Sequence, residues 1–116
     1  MAINSFKDIL AWQKARVLTV VIYKEFRDCR DFSFKDQLQR ASISIMNNIA
    51  EGYARRSDKS FKNFLLIAKA SAAEVESMLL IATSLGYLSE EKQKELLENT
   101  EEVSRLIAGF IRKIPL

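Results

Sequence analysis

Two carboxylates, Glu51 and Glu74, stand inside otherwise apolar stretches, Ser44-Ile-Met-Asn-Asn-Ile-Ala-Glu-Gly52 and Ile67-Ala-Lys-Ala-Ser-Ala-Ala-Glu-Val-Glu76. A hydrolase would use such a pair as general acid and general base. That chemistry needs a cleft and a substrate, and a chain with three Gly and one Pro has no long Gly-rich loop to build one. The neighbours of the two carboxylates give another reading. Ser44, Asn48 and Glu51 recur at steps of four and three, as do Ser71 and Glu74 at a step of three, so each set shares one face of a helix. With Arg40 they fit a buried, hydrogen-bonded polar seam between helices better than an active site.

The absence of histidine excludes much of the remaining chemistry. There is no Ser-His or Cys-His pair, no His-bearing zinc site and no Glu-x-x-His di-iron motif. A carboxylate-only Mg²⁺ or Ca²⁺ site lacks the Asp-rich loop it would need, so neither a metal nor another cofactor is expected. Cys29 is the one cysteine. It lies between Arg27 and Arg30, a setting that favours a reactive thiolate, but a reduced bystander is the simpler reading. The aromatics Trp12, Phe34, Tyr53, Phe61, Phe64 and Tyr87 fall at core spacing and read as packing, not as a base-stacking platform.

Charge gives the other candidate site. The net charge is +3, but residues 1–72 hold 13 Lys/Arg against 7 Asp/Glu, giving +6, and the remainder holds 5 against 8, giving −3. Arg55, Arg56, Lys59 and Lys62 concentrate at one predicted turn. One copy of that corner reads as a solvated helix end. Repeated around a closed oligomer, it becomes a surface that a polyanion senses.

These groups must be carried by helices. Ser5-Phe-Lys-Asp8 has the form of a capping box and opens a helix expected to reach about Arg27. Ser33-Phe-Lys-Asp36 repeats the signal before a second helix, with Leu38, Ala41, Ile45, Ile49 and Tyr53 along one face. Gly52 either ends that helix or sits in its last turn. Ser57 is the expected N-cap of a third helix, with Phe61, Phe64, Leu65, Ala68, Ala72, Val75, Met78, Leu79, Ala82 and Leu85 inward and Gly86 just past its end. Ser89 caps a fourth, with Leu96, Val103, Leu106, Phe110 and Ile114 inward. Ser-Phe-Lys recurs at 5, 33 and 60 without matching flanks, so it is a reused start signal and not a repeat.

Length allows one domain, residues 1–116, with a modest core. Four helices with short connections predict an all-α, antiparallel up-down bundle. Helix three also carries Leu66, Ile67, Ala70, Ala73, Leu80 and Ile81, a second apolar set that a four-helix monomer leaves uncovered, and helix one is similarly two-sided. Self-association is the expected consequence. No signal peptide precedes the first amphipathic segment, and the longest apolar run, Val17 to Tyr23, is too short to span a bilayer. A soluble cytoplasmic protein with no membrane partner is expected.

Phe6…Leu10-Ala-Trp12, Leu38-Gln-Arg-Ala-Ser-Ile-Ser-Ile45, Asn48-Ile-Ala-Glu-Gly52, Phe64-Leu…Ile67-Ala-Lys-Ala-Ser71…Glu74 and Leu85-Gly-Tyr-Leu88 resemble the small bacterial four helix bundle proteins. These are also called ribosomal-RNA intervening-sequence proteins. The resemblance covers nearly the whole chain, and Asn-Ile-Ala-Glu-Gly is its most specific piece. Ala70 stands where many members have Gly. The resemblance implies an antiparallel four-helix bundle assembling into a ring-like homopentamer. It also implies kinship with the accessory variability determinant proteins of diversity-generating retroelements, basic pentamers that bind nucleic acid and a reverse transcriptase. The reading is a non-enzymatic, oligomeric bundle that binds RNA or DNA through a basic surface. The alternative is a scaffold or accessory subunit whose partner is another protein, without nucleic-acid binding.

Overall fold

The computed structural model describes residues 3–115. A 3₁₀ turn, Phe6–Asp8, leads into four helices: α1 (Leu10–Glu25), α2 (Phe32–Ala54), α3 (Asp58–Ser84) and α4 (Glu90–Lys113). No strand occurs among the described residues. The bundle measures 44 × 22 × 21 Å.

Local chemistry explains where each helix starts. The Ser5 hydroxyl accepts from Lys7 N–H while Asp8 accepts from the Ser5 and Asn4 amides, so the expected capping box is present. It caps only the 3₁₀ turn, and α1 begins later, at Leu10. The second Ser-Phe-Lys-Asp signal is also displaced. Asp31 accepts the Phe34 N–H, so α2 starts one residue before Ser33. Asp is as good an N-cap as Ser, and the earlier residue captures the first free amides. Ser57 and Ser89 cap α3 and α4 as their positions predict. At the far end of α3, Gly86 adopts φ +80°. Its N–H donates to Thr83 O and the Tyr87 N–H to Ala82 O, the paired bonds of a Schellman ending.

Cross-helix contacts fix the directions. Along α1–α4, Lys14 pairs with Glu102 and Glu25 with Lys92, so the two run antiparallel. Along α2–α3, Ser44 meets Ser71 and Tyr53 meets Phe61. Each helix therefore runs against its sequence neighbour, and α1 and α3 occupy opposite corners, each packed on α2 and α4 but not on one another. The core takes Leu18, Ile22 and Phe26 from α1, Leu38, Ile45 and Ile49 from α2, Leu65, Val75 and Leu79 from α3, and Leu96 and Ile107 from α4. The steps within each set are sums of three and four, the stripe one face of a helix buries. Burying one such side chain contributes about 1.5–3 kcal/mol before entropy is counted. Leu85, expected inward, lies 48% exposed because the chain is already turning toward Gly86.

Candidate nucleic-acid interface

Antiparallel order gathers four helix ends at one pole of the bundle: the start of α1, the close of α2, the start of α3 and the close of α4. Arg55, Arg56 and Lys59 are exposed there and Lys62 is half-buried. Phe61 of α3 stacks edge-on against Phe110 of α4, centroids 5.2 Å apart, which draws the last turn of α4 beside them. That turn carries Arg112 and Lys113. Sequence reading missed these two cations, although the signal was available, since an up-down bundle must return its fourth helix to the α2–α3 turn.

Between the elements lies a cleft of about 440 Å³, lined by Tyr53, Arg56, Ser57, Asp58, Phe61, Phe110, Lys113, Ile114 and Pro115. Its aromatic wall is a run of edge contacts, with Tyr53 and Phe61 6.0 Å apart. Two of its lining residues, Arg56 and Lys113, are cationic, and one, Asp58, is anionic.

The four cations of the α2–α3 corner are held differently. Arg55 donates to Glu51 at 3.0 Å and its guanidinium lies 5.0 Å from the Phe64 ring centre. That side chain is committed within the protomer. Arg56, Lys59 and Lys62 make no ion pair among the described residues. Arg56 has φ +58°, a left-handed conformation just past the helix end that glycine adopts without strain and other residues adopt at a cost of about 1–2 kcal/mol. An arginine kept there against that cost faces its side chain into solvent at the rim of the cleft.

Close approach of α2 and α3 sets the geometry of this corner. Gly52 is buried in the last turn of α2, the second of the two places its sequence position allowed. A Cβ built on it would lie 2.6 Å from Phe64 Cβ and 3.1 Å from Phe61 Cδ1, so only glycine permits this spacing.

The polar seam is shorter than its sequence outline. Ser44 Oγ and Ser71 Oγ are 2.8 Å apart, and Asn48 Nδ2 donates to Ser44 O at 2.8 Å and to Ser44 Oγ at 2.9 Å. These three residues link α2 to α3. Arg40, Glu51 and Glu74 stand outside the network, all exposed. Arg40 pairs with Asp36 and Glu51 with Arg55, each one turn along α2. The reason is geometric: these residues stand at the edge of the contact line, and a long charged side chain there carries its head group out to solvent. With both carboxylates exposed on separate helix surfaces, they form no acid–base site. No group of three His, Cys, Asp or Glu able to hold a metal ion occurs among the described residues. No helix among them is long and apolar enough to cross a membrane.

The model of the 23S rRNA-intervening sequence protein family matches residues 7–109. The chain belongs to that family. Its fold is similar to the crystal structure of a protein of unknown function from the S23 ribosomal protein family of Bacteroides thetaiotaomicron. That comparison has a TM-score of 0.83 and 26% identity over 90% of this chain and 100% of the other. Among curated proteins, none matches the chain.

Proposed function

We propose that this chain is a non-enzymatic, cytoplasmic homo-oligomer, five copies to a ring, that binds RNA or DNA through the basic pole of each bundle. The observation that carries the reading is the convergence of Arg56, Lys59 and Lys62 with Arg112 and Lys113 at one pole of the bundle, where Arg56 and Lys113 line a common cleft, from elements far apart in sequence. Phosphate contact is the chemistry such a pole offers. Each cation that neutralises a phosphate releases counterions, and a ring presents the same pole several times. The family name, 23S rRNA-intervening sequence protein, agrees with a nucleic-acid setting. The apolar outer faces of α1 and α3 support assembly. They also support the second reading, a scaffold that docks a protein and binds no nucleic acid.

Salt separates the two. Affinity for nucleic acid falls with a slope of log K against log salt of about −0.9 per phosphate on duplex DNA and about −0.7 on single strands. Apolar docking has no such dependence. The test is a titration of labelled RNA and DNA at two salt concentrations, with wild type and an Arg56→Glu, Lys113→Glu variant. Arg56 is a better probe than Arg55, whose reversal would set two carboxylates together at Glu51. Wild type should bind with a steep slope that the variant flattens while keeping the same melting curve. Equal binding by both proteins, or none by wild type at low salt, would leave the scaffold reading.

A further inference from the structure

The outer faces of α1 and α3 are apolar and lie at opposite corners of the bundle. On α3, Leu66 and Ile67 at one end and Leu80 and Ile81 at the other are each about half exposed. The two pairs are about 21 Å apart at 1.5 Å per residue. Between them run Ala70, Ala73, Glu74 and Ser77, all exposed and all small except Glu74, with the exposed Lys69 at the margin beside Glu76 and Arg105 of the α3–α4 groove. On α1 the exposed apolar residues are Leu10, 51% exposed at its start, and a run through its second half: Val17 at 57%, Val20 at 45% and Tyr23 at 38%. The α1 face thus carries a bulky run from Val17 to Tyr23, and the α3 face a small-residue waist between its two apolar pairs.

The run and the waist stand at the same height. Thr19 Oγ1 donates to Ser42 O, and Ser42 is two residues from Ser44, which bonds Ser71. Since α1 and α3 run parallel, Thr19 is level with about Ala73, Val17 with Ser71, Val20 with Glu74 and Tyr23 with Ser77. We infer that copies of this chain join head to tail, the outer face of α1 in one copy seated on the outer face of α3 in the next. A rotation about an axis along the bundle keeps heights unchanged, so it brings Val17, Val20 and Tyr23 against the small waist at Ala70, Ala73 and Ser77. Leu66, Ile67, Leu80 and Ile81 then close over the two ends of the contact.

Charge selects this pairing over a two-fold one. Glu74, exposed and in no ion pair among the described residues, lies at a height between Arg16 and Lys24, both exposed on the outer side of α1. Joining α3 to a second α3 about the centre of its pattern, between Ala73 and Glu74, would set Glu74 against Glu74. Joining α1 to α1 would oppose its cations. Only unlike faces bring the carboxylate to the cations, and like charges across an interface are strongly disfavoured. A contact between unlike faces generates a ring when its rotation closes. This interface rests on the assembly part of the function proposed above and is independent of nucleic-acid binding.

The test uses one-faced variants, Val17→Glu and Leu80→Glu, with Val20→Glu and Ile67→Glu as a second pair should either member of the first melt early. All four positions are exposed in the protomer, so circular dichroism should match wild type. By light scattering each variant alone should fall from an assembly of several copies to the 13.3 kDa monomer. An equimolar mixture of an α1 variant and an α3 variant retains one intact face of each kind and should give a 1:1 dimer of twice that mass. Four results overturn the interface: variants that keep the wild-type assembly, a single variant that dimerises alone, a mixture that stays monomeric, or a monomeric wild type. In the first three with wild type assembled, the assembly reading survives and this interface fails. A monomeric wild type removes both.

Discussion

Replacing Gly52 by alanine opposes two effects of similar size, and the structure decides between them. In a helix interior alanine is favoured over glycine by about 0.8–1.0 kcal/mol. Against this, the new methyl would stand 2.6 Å from Phe64 Cβ, where carbon atoms settle at about 3.5–4.0 Å. A side-chain tip would swing aside, but a Cβ rides on the backbone, so relief requires α3 to move by about 1 Å. Overpacking of this kind costs about 1–3 kcal/mol. The clash wins because a 2.6 Å contact with a Cβ lies at the costly end of that range, with a net loss of up to about 2 kcal/mol, or a melting temperature lower by up to roughly 8 °C for a domain of this length. Gly109 supplies the control. It lies inside α4 and its added Cβ would meet only the tip of Arg112, at 3.7 Å. Gly109→Ala should therefore raise the melting temperature by a few degrees. Thermal and urea melts of both variants, followed by circular dichroism, give opposite signs if this reasoning holds. A gain at both positions would show that helix propensity decides at each, and that the α2–α3 contact beside the basic pole is soft.

The remaining predictions concern groups held less comfortably. Arg56→Gly should raise stability by about 1 kcal/mol by relieving the left-handed backbone, while weakening nucleic-acid binding in the salt titration; a loss of stability would remove the strain argument. Thr83 Oγ1 is buried without a hydrogen-bond partner among the described residues, so Thr83→Val should be stabilising by about 1 kcal/mol in urea melts. The Tyr87 hydroxyl donates to Asp31 at 2.8 Å, and this bond, with partial desolvation and the nearby carboxylate charge, raises its pKa above the usual 10.0. A raised pKa means stability is fully present below the unfolded value and is lost as pH rises through the folded one, so melts should fall in strongly alkaline solution, and Tyr87→Phe should flatten that decline. Glu74→Lys should weaken assembly in light scattering without lowering the melting point of the isolated protomer, whereas Glu76→Lys, off the proposed contact line, should leave assembly unchanged.

Much of the fold was legible because helical periodicity repeats along every helix and a single misread position does not erase it. Leu38, Ala41, Ile45 and Ile49, for example, are all buried as their spacing requires. Helix starts were less legible where two caps compete, since Asp31 and Ser33 are both good N-caps and only the three-dimensional turn decides. The outer set on α3 was legible too, since an apolar residue off the core stripe has no other covering within four helices. Charged residues at the edge of a stripe were misplaced. Ser44, Asn48 and Glu51 share a spacing, but the short side chains reach across to α3 and the long one turns out to its own helix.

The basic pole shows what periodicity leaves out. Arg112 and Lys113 are 56 or more residues from Arg56 and belong to no local motif. They reach the same pole because chain reversal happens three times, which returns the end of α4 to the α2–α3 turn, and Lys113 lines the cleft there. The same three reversals leave α1 and α3 at opposite corners, parallel to one another, so that their uncovered faces point away from each other at equal heights. Both proposals therefore depend on one topological fact. The odd number of reversals gathers charge at an end of the bundle, and the diagonal placement sends apolar surface out through its sides. A polyanion at the pole and a second copy at the side would then not compete for the same residues, so a charge reversal at Arg56 should leave assembly intact, and a one-faced variant should keep its affinity per protomer while losing the avidity of the ring.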